Sequence, residues 1–215
     1  MPNWCHNTMD IHGEHEELKK FRVACQVKDE ETGNIYASFN KLFPIPDELA
    51  ETTAGWFGDK DKQAEQTAKE KSNIEKYGYK DWYEWALANY GTKWGAKDVE
   101  LSELSLGETV MTGTYETAWS PADGLILKIS ELFPGLVFSV VSTEESDAFI
   151  CFSIFGNGEL LYEDGEQPVI PAEIEKLNET NIDLFYEKLM DWQTEYFDLW
   201  NEKAETQLQK VLSSK

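Results

Sequence analysis

The chain has 215 residues, of which 41% are apolar and 13% aromatic, and its formal net charge is −22. This length and apolar content suffice for a packed core, which excludes a disordered chain. No run of about 18 apolar residues occurs, which argues against a membrane-spanning helix, and the strong negative charge disfavours direct binding of nucleic acid or of an anionic membrane.

The negative charge is concentrated in the second half of the chain. Residues 1–97 carry 13 basic and 17 acidic side chains, whereas residues 98–215 carry 6 basic and 24 acidic ones. Such a surface attracts a basic protein surface, although acidity can equally serve solubility alone. Three unevenly spaced cysteines without a CxxC motif, and an N-terminus unlike a secretion signal, predict a cytoplasmic protein without a disulfide.

The first predicted element is a strand over residues 3–12, because polarity alternates along it. One face of this strand consists of Cys5, Asn7, Met9 and Ile11, and the other of Trp4, His6, Thr8, Asp10 and His12. Apolar residues at helical spacing then predict a helix over 14–27. A turn over 28–34 and a short extended segment over 35–43 follow.

Residues 47–97 are predicted to form a helical insertion. Within it, the polar, lysine-rich stretch 59–76 indicates either a surface helix or a partly mobile one. Residues 79–90 predict a short aromatic helix that Gly91 terminates.

Strands are predicted again after the insertion, over 98–106, 108–117, 136–143 and 148–155. Residues 121–133 between them predict a helix with Leu125, Ile129, Leu132 and Phe133 inward. Residues 149–155 are apolar on both faces, which is typical of a central strand covered on both sides. The Asn157-Gly158 pair predicts a hairpin into 159–163. The pattern predicts an α+β fold in which a split β-α-β arrangement carries its helices on one face.

The segment 180–212 predicts one long amphipathic helix. Its apolar side chains, including Trp192 and Trp200, cover about half of the circumference. The opposite face carries seven carboxylates, which we call the acidic stripe: Asp183, Glu187, Asp191, Glu195, Asp198, Glu202 and Glu205. The three lysines of the helix lie off the stripe and are expected to neutralise it little. This segment, 171–215, is predicted to pack on a domain formed by residues 1–170.

Candidate chemistry is sparse. His6 and His12 would lie roughly 20 Å apart along an extended strand, too far to bind one metal ion, so no metal and no cofactor are predicted. Cys5 would lie on the face opposite to His6, which favours a buried thiol over a nucleophile. No phosphate-binding loop or nucleophile motif occurs, and no catalytic residue is predicted. Trp94 and Trp119 either line a groove or fill the space between sheet and helices.

Three segments together resemble a known family. They are MPNWCHN at the N-terminus, YGTKWGAKD at 90–98, and YETAWSPADG…FPGLVF at 115–138. In this order they are similar to the YubB-like family of phage and plasmid proteins, over roughly residues 1–160. The resemblance implies a ferredoxin-like domain and a mobile-element origin, and it implies no activity. The motif residues are Trp4, Cys5, Asn7, Trp94, Asp98, Trp119, Ser120 and Pro121.

These observations lead to one functional hypothesis with two alternatives. We expect a non-enzymatic acidic protein that inhibits a host defence protein, such as a nuclease or another immune effector, by imitating nucleic acid or by matching a basic surface. The acidic stripe would provide the contact. The first alternative is a small-ligand or nucleotide-binding module on a ferredoxin-like sheet, and the second is an enzyme with an unrecognised site. For the stripe itself, a solvated face without a partner remains the competing interpretation.

Overall fold

The computed structural model describes residues 1–55, 60–146 and 148–214. Its strands are β1 (Trp4–His12), β2 (Gln26–Lys28), β3 (Ile35–Ala37), β4 (Lys97–Leu101), β5 (Val110–Ala118), β6 (Val137–Glu144), β7 (Ile150–Gly156) and β8 (Glu159–Glu166). Its helices are α1 (His15–Cys25), α2 (Asp47–Ala50), α3 (Lys60–Tyr77), α4 (Trp82–Tyr90), α5 (Asp123–Leu132), α6 (Ala172–Glu175), α7 (Leu177–Thr180) and α8 (Ile182–Ser213).

The strands in these ranges form one antiparallel sheet in the order β2-β3-β4-β5-β1-β6-β7-β8. The N-terminal strand β1 lies in the middle of this order, between β5 and β6, and pairs antiparallel with both. Strands β5 and β6 are therefore parallel to each other, joined through α5, with β1 inserted between them. The predicted α+β class, the strand at 3–12 and its pairing with later strands are confirmed.

One face of the sheet carries the main core. Helices α1 and α5 pack there because their apolar side chains recur at helical spacing, with Leu18 and Phe21 from α1 and Leu125 and Ile129 from α5 fully buried. They meet the inward side chains of β1, β5 and β6, among which are Met9, Ile11, Met111, Tyr115 and Phe138. The sequence-based assignment of the two faces of β1 is confirmed.

The second face is covered over β6 and β7 by α8. Trp200, Ala204 and Leu208 of this helix are buried against apolar side chains of the two strands. The strand side chains in this second core are Val137, Val141, Ile150, Phe152 and Ile154. Because both faces of β7 are covered, its continuous apolar sequence is explained, and the prediction of a central strand is confirmed.

The segment between α1 and β4 contains the predicted insertion. It supplies β2, β3 and helices α2, α3 and α4. Asp81 begins α4 by accepting a hydrogen bond from the Glu84 amide at 2.9 Å, and Gly91 ends it at φ 82°, as predicted. None of the helices in the described ranges is both long and apolar enough to cross a membrane.

One sequence-based boundary and several predicted buried positions are wrong. Helix α1 ends at Cys25 rather than at 27, because residues 26–28 extend and pair with β3. Leu132, predicted to point inward, is 54% exposed at the last turn of α5. In α8, Ile182, Tyr186, Met190 and Leu199 are exposed although they follow the apolar spacing. For Ile182, Tyr186 and Met190 the exposure arises because the buried residues of α8, Trp200, Ala204 and Leu208, all lie in its second half.

Candidate functional site

The acidic stripe lies on the surface of α8. All seven carboxylates of the stripe are exposed, as the sequence predicts. The helix has 32 residues, and its first turn is fixed by Asn181, whose side chain accepts a hydrogen bond from the Leu184 amide at 3.2 Å. At about 1.5 Å of rise per residue, the stripe extends over roughly 35 Å.

Two of the three lysines in α8 leave the stripe unneutralised. Lys203 Nζ lies 2.7 Å from Asp164 Oδ2 of β8, and Lys210 donates to the side chain of Gln207. Lys188 differs from the prediction, because its ammonium lies 3.3 Å from Glu187 and 3.0 Å from Asp191. The long side chain of Lys188 therefore reaches the stripe through its i, i+3 neighbour Asp191 and through the adjacent residue Glu187. Five stripe carboxylates therefore have no lysine partner in the described ion pairs, and four of them, Glu195, Asp198, Glu202 and Glu205, follow Asp191.

The second half of α8 is held firmly on the sheet. Trp200 meets Phe152 edge-on with ring centroids 5.9 Å apart, and Phe152 stacks on Tyr162 of β8 at 5.3 Å. Tyr196 donates a hydrogen bond to Glu166 of β8. Trp192, which the sequence places in the buried face, is half-buried beside Tyr196. Trp200 is therefore the tryptophan that anchors the helix.

A groove of about 710 Å³ runs beside α8 over the part of the sheet that the helix leaves uncovered. Its floor is the outer face of β1, β4 and β5, where register sets Thr8 opposite Thr114 and Asp10 opposite Thr112. Its wall is α8, including Glu202 and Glu205 of the acidic stripe. The C-terminal end of the stripe thus adjoins a polar groove instead of facing open solvent alone.

The floor of the groove carries an acidic residue, Asp10, in addition to the two glutamates of its wall. Burial raises the pKa of Asp10, His12 opposes this effect, and Glu205 adds to it. Burial lowers the pKa of His12, against the influence of Asp10 and Glu205. His12 Nε2 is buried without a hydrogen-bond partner among the described residues. A cationic group placed in the groove would meet carboxylates on two sides.

The remaining histidines make ordinary surface contacts. His6 Nδ1 lies 2.6 Å from Glu116 Oε1, its cross-strand neighbour, and His15 Nδ1 lies 3.3 Å from the Glu108 carbonyl oxygen. No group of three or more histidine, cysteine or acidic side chains within the described ranges is arranged to hold a metal.

Five of the eight resemblance residues fall into two groups. Cys5 and Asn7 are buried side chains of β1. The Asn7 amide donates to the carbonyl oxygens of Cys5 and Tyr115 and to Thr117 Oγ1, at 2.9 to 3.1 Å, and its oxygen accepts from Ser142 at 2.7 Å. Burial raises the pKa of the Cys5 thiol to about 12, so it is no nucleophile at neutral pH. These two residues are structural.

The tryptophans of the resemblance form the second group, which lies on the surface. Trp94 stacks on Trp119 with centroids 5.8 Å apart and approaches Trp4 at 6.3 Å. Two lysines, Lys93 and Lys97, lie over these rings. With two aromatic residues of α4 they form what we call the tryptophan–lysine cluster: Trp4, Trp82, Tyr83, Lys93, Trp94, Lys97 and Trp119.

Trp119 is held in an unusual backbone conformation. Its φ of 65° is left-handed, which a tryptophan seldom adopts. Its own amide donates to the Asn3 carbonyl oxygen at 2.9 Å, and the Ser120 hydroxyl donates to the Gly91 carbonyl oxygen at 2.7 Å. The Thr92 hydroxyl donates a hydrogen bond at 2.7 Å to the carbonyl oxygen of Ala118, the residue before Trp119. Trp119 as a residue nevertheless stays 48% exposed, so it does not fill the space between sheet and helices.

Sequence reasoning missed Asp123. This half-buried carboxylate lies beside Ser153 and Cys151 of β7 and Glu163 of β8. Burial, reinforced by Glu163, raises its pKa to about 6, although a hydrogen bond from Ser153 opposes the shift. In the sequence it is an ordinary acidic residue in the first turn of a helix. Its burial depends on the packing of β7 and β8, which no local pattern reveals.

Comparisons with known proteins add little. No family model matches the chain, and no curated protein matches its sequence. A similar solved structure is the crystal structure of the protein api92 from Yersinia pseudotuberculosis, described with the family model DUF1281. It is 10% identical, with a TM-score of 0.42, over 80% of this chain and 100% of that one. Membership of the YubB-like family therefore stays a prediction.

Proposed function

We propose that the chain is a non-enzymatic acidic binding protein that docks on a basic surface of another protein through the acidic stripe. The observation that carries this proposal is the exposure of all seven stripe carboxylates on one helix, four of which follow Asp191 with no lysine paired to them in the ion pairs described. Adjacent carboxylates at i and i+4 stand about 5–6 Å apart, on the scale of phosphate spacing along a nucleic-acid strand.

The groove beside α8 supports the same proposal. Its wall contributes Glu202 and Glu205, and its floor contributes Asp10 and exposed threonine side chains. A lysine or arginine that reached over the helix would find carboxylate and hydroxyl acceptors together. A flat solvated face would offer no such second layer of acceptors.

The class of partner follows from the resemblance alone. Because the YubB-like family belongs to phages and plasmids, we propose that the partner is a host defence protein, such as a nuclease or another immune effector. We also propose that the core is ferredoxin-like. The interleaving of β1-α1-β4 with β5-α5-β6, in the order β4-β5-β1-β6, supports this relationship.

Site-specific photocrosslinking tests the proposal. A benzoylphenylalanine replaces Glu195 in the stripe of one protein and Glu30, in the exposed turn between β2 and β3, of a matched control. After illumination in a bacterial lysate, we expect a discrete adduct from the stripe position whose partner has a basic surface. Adducts of equal yield and identity from both positions would contradict the proposal.

A further inference from the structure

We propose that the tryptophan–lysine cluster is a binding site for a mononucleotide, with the base stacked on Trp119 and the phosphate held by Lys93 and Lys97. This site is separate from the acidic stripe and independent of the proposed docking of a basic protein. The two surfaces would bind ligands of opposite charge.

The geometry of the aromatic residues provides the first argument. Trp94 stacks on Trp119 with ring centroids 5.8 Å apart, and the Trp119 residue as a whole remains 48% exposed. An aromatic base can extend this existing stack, and base–aromatic stacking is a common source of affinity for nucleotides. Tyr83 at the rim is also exposed.

The two lysines determine that the ligand carries negative charge. Lys93 Nζ lies 4.4 Å from the ring centroid of Trp94 and within 6.0 Å of those of Trp82, Tyr83 and Trp119, so it already occupies the place that a bound cation would take. Lys97 Nζ lies 5.2 Å from the ring centroid of Trp4 and 5.5 Å from that of Trp94. A second cation would be repelled, whereas a phosphate would be attracted.

These ammonium groups have no carboxylate partner in the described ion pairs, although the chain contains 41 acidic residues. Two carboxylates near the cluster contact other cationic or imidazole groups, since Glu84 pairs with Lys80 and Glu116 Oε1 lies 2.6 Å from His6. Two lysines therefore keep their donors free for a phosphate.

The strained backbone is the third argument. A left-handed tryptophan costs folding free energy, and such residues persist where the surrounding structure holds them, often at binding sites. Three hydrogen bonds hold residues 118–120 in this conformation, from Thr92, from the Trp119 amide and from Ser120. With residues 118–120 held in this way, Trp119 lies at the surface and is not part of the buried core.

The net charge of −22 favours a mononucleotide over a single-stranded nucleic acid as the ligand. A polyanion would meet more of the chain's 41 acidic side chains than a single phosphate does, and the repulsion grows with the charge of the ligand. We therefore assign the site to a free nucleotide. A single-stranded nucleic acid would present the same base and phosphate, so the test includes a single-stranded oligonucleotide.

The test is a titration of ¹⁵N-tryptophan-labelled protein with AMP, followed by the indole N–H signals. We expect saturable shifts of the signals of Trp94 and Trp119, with the buried Trp200 signal unchanged as a report of the intact fold. Adenosine and ribose 5-phosphate should each bind at least tenfold more weakly, because each lacks one of the two interactions. Absence of saturable shifts with AMP would overturn the proposal.

Variants and a second ligand complete the test. Trp119→Ala should weaken AMP binding by roughly fivefold to a hundredfold, and Lys93→Met should weaken it while leaving adenosine binding unchanged. Lys28→Met, an exposed lysine on β2, is the matched control and should bind normally. Unchanged affinity in Trp119→Ala would refute the stacking site. An oligothymidylate that bound more tightly than a mononucleotide would refute the assignment to a free nucleotide.

Discussion

Lys203 of α8 and Asp164 of β8 form an ion pair at 2.7 Å, and the same ammonium lies 4.2 Å from the ring centroid of Trp200. The pair ties the helix to the edge strand and directs the lysine away from the acidic stripe. The ion pair therefore occupies one lysine of α8 that is then not paired with the acidic stripe.

The anchoring role of Trp200 predicts a large loss of stability on its truncation. Trp200→Ala removes a ring that is 5% exposed and should lower the free energy of unfolding by roughly 3–5 kcal/mol. Leu199→Ala, at a side chain that is 64% exposed, should change it by under about 0.5 kcal/mol. Urea denaturation followed by circular dichroism measures both. Similar losses in the two variants would contradict the packing of α8.

The buried hydrogen bonds of Asn7 predict a second structural effect. Asn7→Ala leaves buried acceptors and the Ser142 hydroxyl without their partner and should cost about 2 kcal/mol or more. Asn3→Ala, which removes an exposed hydrogen bond to Ser146, is the matched control and should cost less than about 1 kcal/mol. If chemical denaturation gave equal losses, the Asn7 network would contribute nothing specific.

The raised pKa of Asp123 predicts a pH-dependent gain in the variant Asp123→Asn. The folded pKa of about 6 exceeds the ordinary value of 3.8. The folded protein therefore retains a proton that the unfolded chain loses, and stability falls as pH rises from about 4 to about 6. Asparagine stays neutral and avoids this loss.

The variant should therefore gain stability relative to the wild type by about 1–3 kcal/mol at pH 7, and by little at pH 4. Urea denaturation at both pH values measures the difference. Asp183→Asn, at an exposed position on α8, serves as the control and should show no such gain. An equal effect of Asp123→Asn at the two pH values would rule out the assigned pKa.

Local patterns were sufficient to predict most elements of the fold. Alternation placed β1 and its two faces, and Asn157-Gly158 marked the β7–β8 hairpin, where both residues have positive φ. Helical spacing predicted α8 within two residues at each end. These elements carry their signal in neighbouring residues, and so sequence reasoning reaches them.

Long-range packing produced the errors. Residues 26–28 continue the helical spacing of α1, yet they extend because β3 offers hydrogen-bond partners. Ile182, Tyr186 and Met190 have the spacing of a buried face but meet no sheet. The tryptophan–lysine cluster joins residues from β1, from α4, from the loop before β4, from the start of β4 and from the position just after β5. The sequence indicated its tryptophans without their lysines.

The most direct test of the central claim is the affinity of the crosslinked partner for the wild-type chain and for the double variant Glu195→Lys, Glu202→Lys. Both positions are exposed and outside the described ion pairs, so the fold should persist. Isothermal titration at several salt concentrations should show at least about tenfold weaker binding and a shallower salt dependence for the variant. The control variant Glu30→Lys, Glu31→Lys changes the net charge equally and should bind like the wild type. Equal affinity and equal salt dependence in all three proteins would contradict the claim and leave the acidic stripe as a solvated surface.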